Sequence, residues 1–296
     1  MTMQISLGLP TFLAHDRALE LSWYRTIDQG PWSGMVFSDG ITFPNSWSLT
    51  VQLSAAAAMT ERVKLSTAIA TLPLRNPVLF AKELATIDVL SGGRLVVGVG
   101  IGGLQDDYLA TGGDLALRHQ RMDDHVATMQ KVWRQEPLVE GQFPVGPKPL
   151  QPSGIPLLAG ASGPKALARA AKWASGVIDA GATIAFDKEA LAAQKACVVQ
   201  AWKDAGRDDT PYFAACMYFA LGPNAKEQLG DYMFHMSHSY GEDAAREAAQ
   251  YVANYGADRL RDAVAGAREI GLDELMLLPT TPDVTEIDRV REILGV

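Results

Sequence analysis

"GGRLVVGVGIGG", residues 92–103, places Gly98, Gly100 and Gly103 in the G-x-G-x-x-G spacing of a dinucleotide-binding turn, directly after an apolar, β-branched run. A Rossmann fingerprint needs those glycines to open a long helix, and an acidic residue at the end of the following strand to hold a ribose hydroxyl. Neither condition is met. Gly103 is followed by "LQDDYLATGGDLA", a short helical stretch broken at Gly112-Gly113, and the next acidic pair, Asp123 and Asp124, lies inside the helical pattern 118–135. The run is also the fourth strand-like segment of the chain, whereas the fingerprint belongs in the first βα turn of its domain. The alternative is that glycines at 98, 100 and 102 strip side chains from one face of a strand end. That either lets a flat ligand lie against the backbone or packs a barrel interior.

Working outward, short β-rich runs at 4–9, 34–38, 63–70, 94–100, 155–160, 175–180, 211–221 and 273–279 alternate with helical patterns. Eight βα units predict an α/β fold, a TIM (β/α)8 barrel whose site lies at the C-terminal ends of its strands. "RLVVGVG" is apolar at almost every position, as a strand covered on both faces requires. Asn76 and Pro77 form a helix start, Phe80, Leu84 and Ile87 its buried face, and Ser91-Gly92-Gly93 its stop. Residues 136–154, rich in proline and glycine, and 225–256, helical with "MFHMSHSY" at the centre, read as insertions in one domain spanning 1–296.

The chain carries 34 acidic and 26 basic residues, a formal charge of −8, so it lacks the cationic surplus that a nucleic acid partner demands. Two cysteines, Cys197 and Cys216, provide neither a disulfide framework nor a cysteine zinc site. His235 and His238 have no third ligand at fitting spacing, so no metal is expected. No leader or apolar stretch of membrane-spanning length is read, and the expected location is the cytoplasm.

"LPLRNPVLFAKELATIDVLSGGRLVVGVGIGG" (72–103), "RHQRMDDHV" (118–126) and "GPKPLQPSGIPLLAGASGPKALARAAKWASG" (146–176) resemble the luciferase-like monooxygenases, TIM barrels that bind reduced FMN or the deazaflavin coenzyme F420. The resemblance runs from the first strand to "ELMLLPT". It implies a non-prolyl cis peptide at Ala68-Ile69 beneath the cofactor ring, with Gly100, Gly102, Gly103 and Asp106 beside it. It also implies a phosphate cradle of backbone amides at Gly160, Ala161, Ser162 and Gly163. Physical reasoning agrees with the cradle, because small residues there open a helix at Pro164 whose free N–H groups and dipole favour an anion.

The chain also departs from the pattern. Gly40 stands where relatives often have histidine, Gly103 where certain deazaflavin-dependent members carry a glutamate, and Ser175-Gly176 where Asp-Gly is common. The usual catalytic assignments therefore do not transfer. Asp39, which ends the apolar run "MVFSD", is the candidate acid or base, and His119 is a second candidate beside the pocket. Asp107, Tyr108 and Asp179 also fall near the mouth, and Phe12, Phe37, Trp47 and Tyr218 are candidate walls of a dry pocket.

The expected activity is oxidoreduction of a small organic substrate by reduced FMN with oxygen, or by hydride transfer with reduced deazaflavin. A non-catalytic flavin-binding protein is the alternative of another class. The resemblance further implies a separate flavin or deazaflavin reductase and a homodimer paired through the second and third helices, where "LSAAAAM" (53–59) offers small residues.

Overall fold

The strands are buried along most of their length on both faces, and closing them into a ring covers the inner face while the helices cover the outer one. A computed structural model describes residues 2–296. In chain order its elements are β1 (Gln4–Gly8), α1 (Arg17–Gln29), β2 (Gly34–Phe37), α2 (Leu49–Met59), β3 (Lys64–Thr71), α3 (Pro77–Leu90), β4 (Leu95–Gly100), α4 (Gln105–Ala110) and α5 (Arg118–Trp133). They continue as β5 (Leu157–Gly160), α6 (Pro164–Ala170), β6 (Gly176–Asp179), α7 (Lys188–Asp204), β7 (Tyr212–Phe219), α8 (Ala225–Ser237), α9 (Glu242–Gln250), α10 (Ala257–Glu269), β8 (Glu274–Pro279) and α11 (Thr285–Leu294). The eight expected strands are these eight, paired parallel in sequence order, with β1 and β8 closing the barrel from Gln4 opposite Glu274 to Leu7 opposite Leu277.

Alternation along each strand sorts the core into two layers. Leu7, Met35, Leu65, Val97, Val99 and Leu277 face outward against the helices. Val36, Leu158, Ile178, Cys216, Met276 and Leu278 fill the barrel. At the N-terminal end the interior is polar and satisfied: Ser6 and Tyr212 donate to the Glu274 carboxylate, and Lys64 Nζ donates to Gln4 Oε1 at 3.1 Å. Burial, with Glu274 beside it, pushes the Tyr212 hydroxyl well above its usual range. This end is a closed plug.

Asn76 caps α3 as expected, its Oδ1 accepting from Val78 N at 3.0 Å and Leu79 N at 3.1 Å. Residues 136–154 form no helix or strand and are tied to α3, where Asp88 accepts from Leu150 N and Gln151 Nε2, both at 2.7 Å. The 225–256 segment forms α8 and α9 and leads to Asn254, whose Oδ1 accepts from Phe186 N at 2.7 Å. Among the described residues no helix is long and apolar enough to cross a membrane.

Candidate active site

The C-terminal strand ends form a mouth with two halves. In the β3–β5 half, β3 takes one extra residue against β4: Thr67 opposes Val97, yet Ala70 opposes Val99. The Ala68–Ile69 peptide inside this irregularity is cis. The glycines expected to clear a face for a flat ligand are in fact approached by β3, through its backbone at Gly98 and through side chains at Gly100 and Gly102. A Cβ on Gly98 would meet Thr67 O at 2.2 Å, one on Gly100 would meet Ile69 Cδ1 at 2.5 Å, and one on Gly102 would meet Thr71 Cγ2 at 2.6 Å. Gly160 faces Ile69 too, at 3.1 Å from Cγ2. The glycines thus seat Ile69, and Ile69 becomes the apolar floor on which a planar ring would lie. Gly103 differs, because a Cβ there would lie 3.2 Å from the Tyr240 hydroxyl of the 225–256 insertion.

Next to this floor, Gly163 caps α6 without a side chain and Pro164 fixes its first turn. The amides of Ser162, Gly163, Lys165 and Ala166 find no acceptor among the described residues, as the free donors of a helix start do. Space around Gly163 is open, with nothing within 4 Å of a Cβ built on it. At the other end of α6 the one cation in its last turn is already engaged. Arg169 donates to the His119 carbonyl and pairs with Asp123 at 2.9 Å. His119, expected as a catalytic candidate, is exposed at the start of α5, and burial together with Arg169 and Arg118 lowers its pKa. It does not line the cavity of the other half.

That other half is built by the loops after β1 and β2 and by α8. Together they enclose a cavity of about 620 Å³ whose walls include Phe12, Leu13, Phe43, Tyr232, Met236 and Thr280. The Phe12 and Phe43 rings have centroids 4.3 Å apart. Three consecutive carbonyls of the β1 loop are held in place. Tyr232 OH donates to Thr11 O at 3.1 Å, Asn45 Nδ2 to Phe12 O at 3.4 Å, and His15 Nδ1 to Leu13 O at 2.7 Å.

Asp39 is not the free acid or base that its place in the sequence led us to expect. Arg75 Nη2 donates to its Oδ2 at 2.7 Å and its Oδ1 at 2.8 Å, and Thr71 N donates to Oδ2 at 2.9 Å. The carboxylate, 5% exposed, is a strut between the ends of β2 and β3. Asp106 is exposed on α4 and forms no hydrogen bond among the described residues. Its neighbour Asp107 is the buried one, accepting from Thr42 N at 2.9 Å and Thr42 Oγ1 at 2.6 Å. Tyr108 donates to the Ile101 carbonyl and so braces the loop after β4. Burial raises the Asp179 pKa, only partly offset by the bond from Gly181 N. Of the expected aromatic walls, Phe12 lines the cavity and Tyr218 packs 5.1 Å from Tyr232 in the inner core. Phe37 instead belongs to the outer layer against Tyr24, and Trp47 stacks on His15. Sequence reasoning missed Phe43, Arg75, Tyr232 and Tyr240. The one available signal was Gly40 in place of a histidine, which leaves room that something must fill.

Among curated proteins, one from Mycobacterium tuberculosis with no assigned activity is 35% identical over 172 residues, 56% of this chain and 59% of its own length. Limonene 1,2-monooxygenase of Rhodococcus erythropolis is 28% identical over 170 residues, 54% of this chain and 43% of that enzyme. The chain thus aligns with well under two thirds of these relatives. Among solved structures, the monooxygenase RslO1 of Streptomyces bottropensis superposes with a TM-score of 0.80 at 19% identity, covering 99% of this chain and 98% of that one. An F420-dependent secondary alcohol dehydrogenase does so at 0.78 and 20%, covering 100% and 99%. At these identities the superpositions show a shared fold. The family profile of the luciferase-like monooxygenases matches residues 26–291, and the chain belongs to that family.

Proposed function

We propose that the protein is a flavin-dependent oxidoreductase of a small organic substrate, with the cofactor ring on Ile69 and its phosphate at Gly160–Gly163. The observation that carries this reading is the set of amides without acceptors at the start of α6, in open space shortly after Gly160, which packs on the Ile69 floor. An anion there gains hydrogen bonds that the fold leaves unmade. When bound, reduced FMN supplies electrons to oxygen, and reduced F420 supplies a hydride directly. The residues of this chain bind and orient. Ile69, backed by Gly100 and Gly160, gives the ring an apolar seat, while α8 and the β1 loop wall the neighbouring cavity.

Titration with FMN, reduced FMN and F420, followed by absorbance and fluorescence, tests the reading. Binding of at least one is expected, and folded protein that binds none removes it. The proposal includes a homodimer through α2 and α3. Supporting it, Val51, Leu79, Val89 and Leu90 stand 65%, 60%, 46% and 53% exposed on those helices. Sedimentation at micromolar concentration should give a dimer, and a monomer would exclude this pairing.

A further inference from the structure

The space above Gly40 bears on the class of substrate, an inference that rests on the oxidoreductase reading and deepens it. A Cβ on Gly40 would lie 2.6 Å from Phe12 Cε1 and 2.6 Å from Phe43 Cδ2. The two rings therefore occupy the volume that any side chain at position 40 would take. Phe12 reaches this place from φ 66°, a left-handed backbone that bulky residues seldom adopt and that persists only where the surroundings enforce it. Here they do, through the bonds from Tyr232, Asn45 and His15 to three successive carbonyls. A loop gripped at each of these residues presents Phe12 as a fixed wall.

The charges of the cavity lead the same way. No lysine or arginine lines it, and Asp231 is its one carboxylate. An anionic group entering would lose its water, face the Asp231 carboxylate and find neither lysine nor arginine, its polar neighbours being the imidazoles of His235 and His238 with uncharged amides and hydroxyls. An apolar ring or branched chain would instead meet Phe12, Phe43, Leu13, Pro44 and Met236. We infer that the site selects an uncharged, predominantly apolar substrate held against the Phe12–Phe43 wall, and rejects carboxylates, sulfonates and phosphates of the same size. Gly40 is then a specificity-determining position, because its missing side chain admits the wall.

Calorimetric titration of the full chain at pH 8 tests this, with and without bound flavin. The probes are 4-isopropylbenzyl alcohol and 4-isopropylbenzoate, which share a skeleton and differ in charge. The alcohol should bind about tenfold or more tightly than the carboxylate. Phe12→Ala and Phe43→Ala should each weaken alcohol binding about fivefold or more, and Gly40→Ala, which pushes the rings from the other side, should do likewise. Cofactor binding should not change in any of them. The comparison of alcohol with carboxylate needs no variant, so it survives a variant that fails to fold. Equal binding of the two probes, or no alcohol binding by protein that binds flavin, overturns the inference. So does unchanged alcohol binding in folded Phe12→Ala and Phe43→Ala. Wild-type protein that binds no flavin at all would overturn the oxidoreductase reading, and this inference with it.

Discussion

The β3–β5 half of the mouth is made of backbone, and the β1–β2 half of side chains. In the first, glycines admit Ile69 and leave peptide amides facing solvent, so its chemistry depends on chain path more than on residue identity. In the second, two aromatic rings, a tyrosine from an insertion and a buried histidine converge on one loop. A backbone site suits a constant ligand such as a cofactor. A side-chain site can be rewritten residue by residue, which suits a substrate that differs between relatives. The two halves should therefore fail separately.

The largest effect is expected beneath the backbone half. Gly98→Ala puts a methyl group 2.2 Å from Thr67 O and 2.5 Å from Ile178 Cδ1, and a strand carbonyl cannot move aside without shifting β3. The loss of stability should be about 3 kcal/mol or more. Gly163→Ala is the matched control, with φ −79° and open space, and should change stability by less than about 0.5 kcal/mol. Urea unfolding measures both. Similar losses would show that the glycines are not divided between packing and exposed amides as described.

Asp39 joins the halves, so removing it tests whether the joint is structural. Asp39→Ala leaves Arg75 over the Phe80 ring, its Cζ 4.8 Å from the centroid, with Nε already lacking a partner. A fully buried pair would cost more, but the Arg75 side chain is 20% exposed, so a loss of about 2 kcal/mol is expected. A catalytic carboxylate would behave differently, losing kcat in Asp39→Asn with stability nearly intact.

What could be read from residue order follows the same division. The eight strands, the cap at Asn76 and the cis bond at Ala68-Ile69 all come from contiguous motifs, where local pattern and resemblance carry the information. The side-chain half does not exist until residues 12, 40, 43 and 232 meet in space, and no periodicity links them. Asp39 was misjudged for the same reason, since its partner Arg75 lies 36 residues away. Alternate glycines at 98, 100 and 102 announce close approach, but not that the approaching group is the neighbouring strand β3 and not a ligand.

A smaller effect tests the amides directly. Gly163→Asp places a carboxylate beside the free N–H groups at the start of α6. FMN or F420 should bind about tenfold more weakly, while riboflavin, which lacks the phosphate, should change much less. The alcohol probe should be unaffected. Equal losses for phosphorylated and unphosphorylated flavin, measured on folded protein, would remove the phosphate from this place.

The last effect is a slope of stability with pH, set by the anchor of the side-chain half. His15 Nδ1 lies 2.7 Å from Leu13 O and Nε2 lies 2.8 Å from Glu20 Oε2, so both nitrogens face acceptors and only the imidazolium can donate to both. The bond to Glu20 raises the His15 pKa above 6.5 against the opposing effect of burial, with Leu13 O and Asp16 adding to the rise. For Glu20, burial pushes upward, but bonds from His15, Tyr24 and Gln52 outweigh it and leave the pKa below 4.5. A raised histidine stabilises the fold below pH 6.5 and loses that contribution as pH rises through its folded value; a lowered glutamate stabilises above pH 4.5 and loses it as pH falls. The pair therefore contributes most between pH 4.5 and 6.5, and Tm should decline on either side. His15→Gln keeps one donor but cannot titrate, so it should flatten the alkaline limb and shrink the acid limb to what Tyr24 and Gln52 and the remaining donor sustain. It should also weaken binding of the alcohol probe through the freed Leu13 carbonyl, with FMN binding unchanged. An alkaline slope that persists in His15→Gln, or a loss of FMN binding equal to that of the alcohol, would mean that the two halves are not independent.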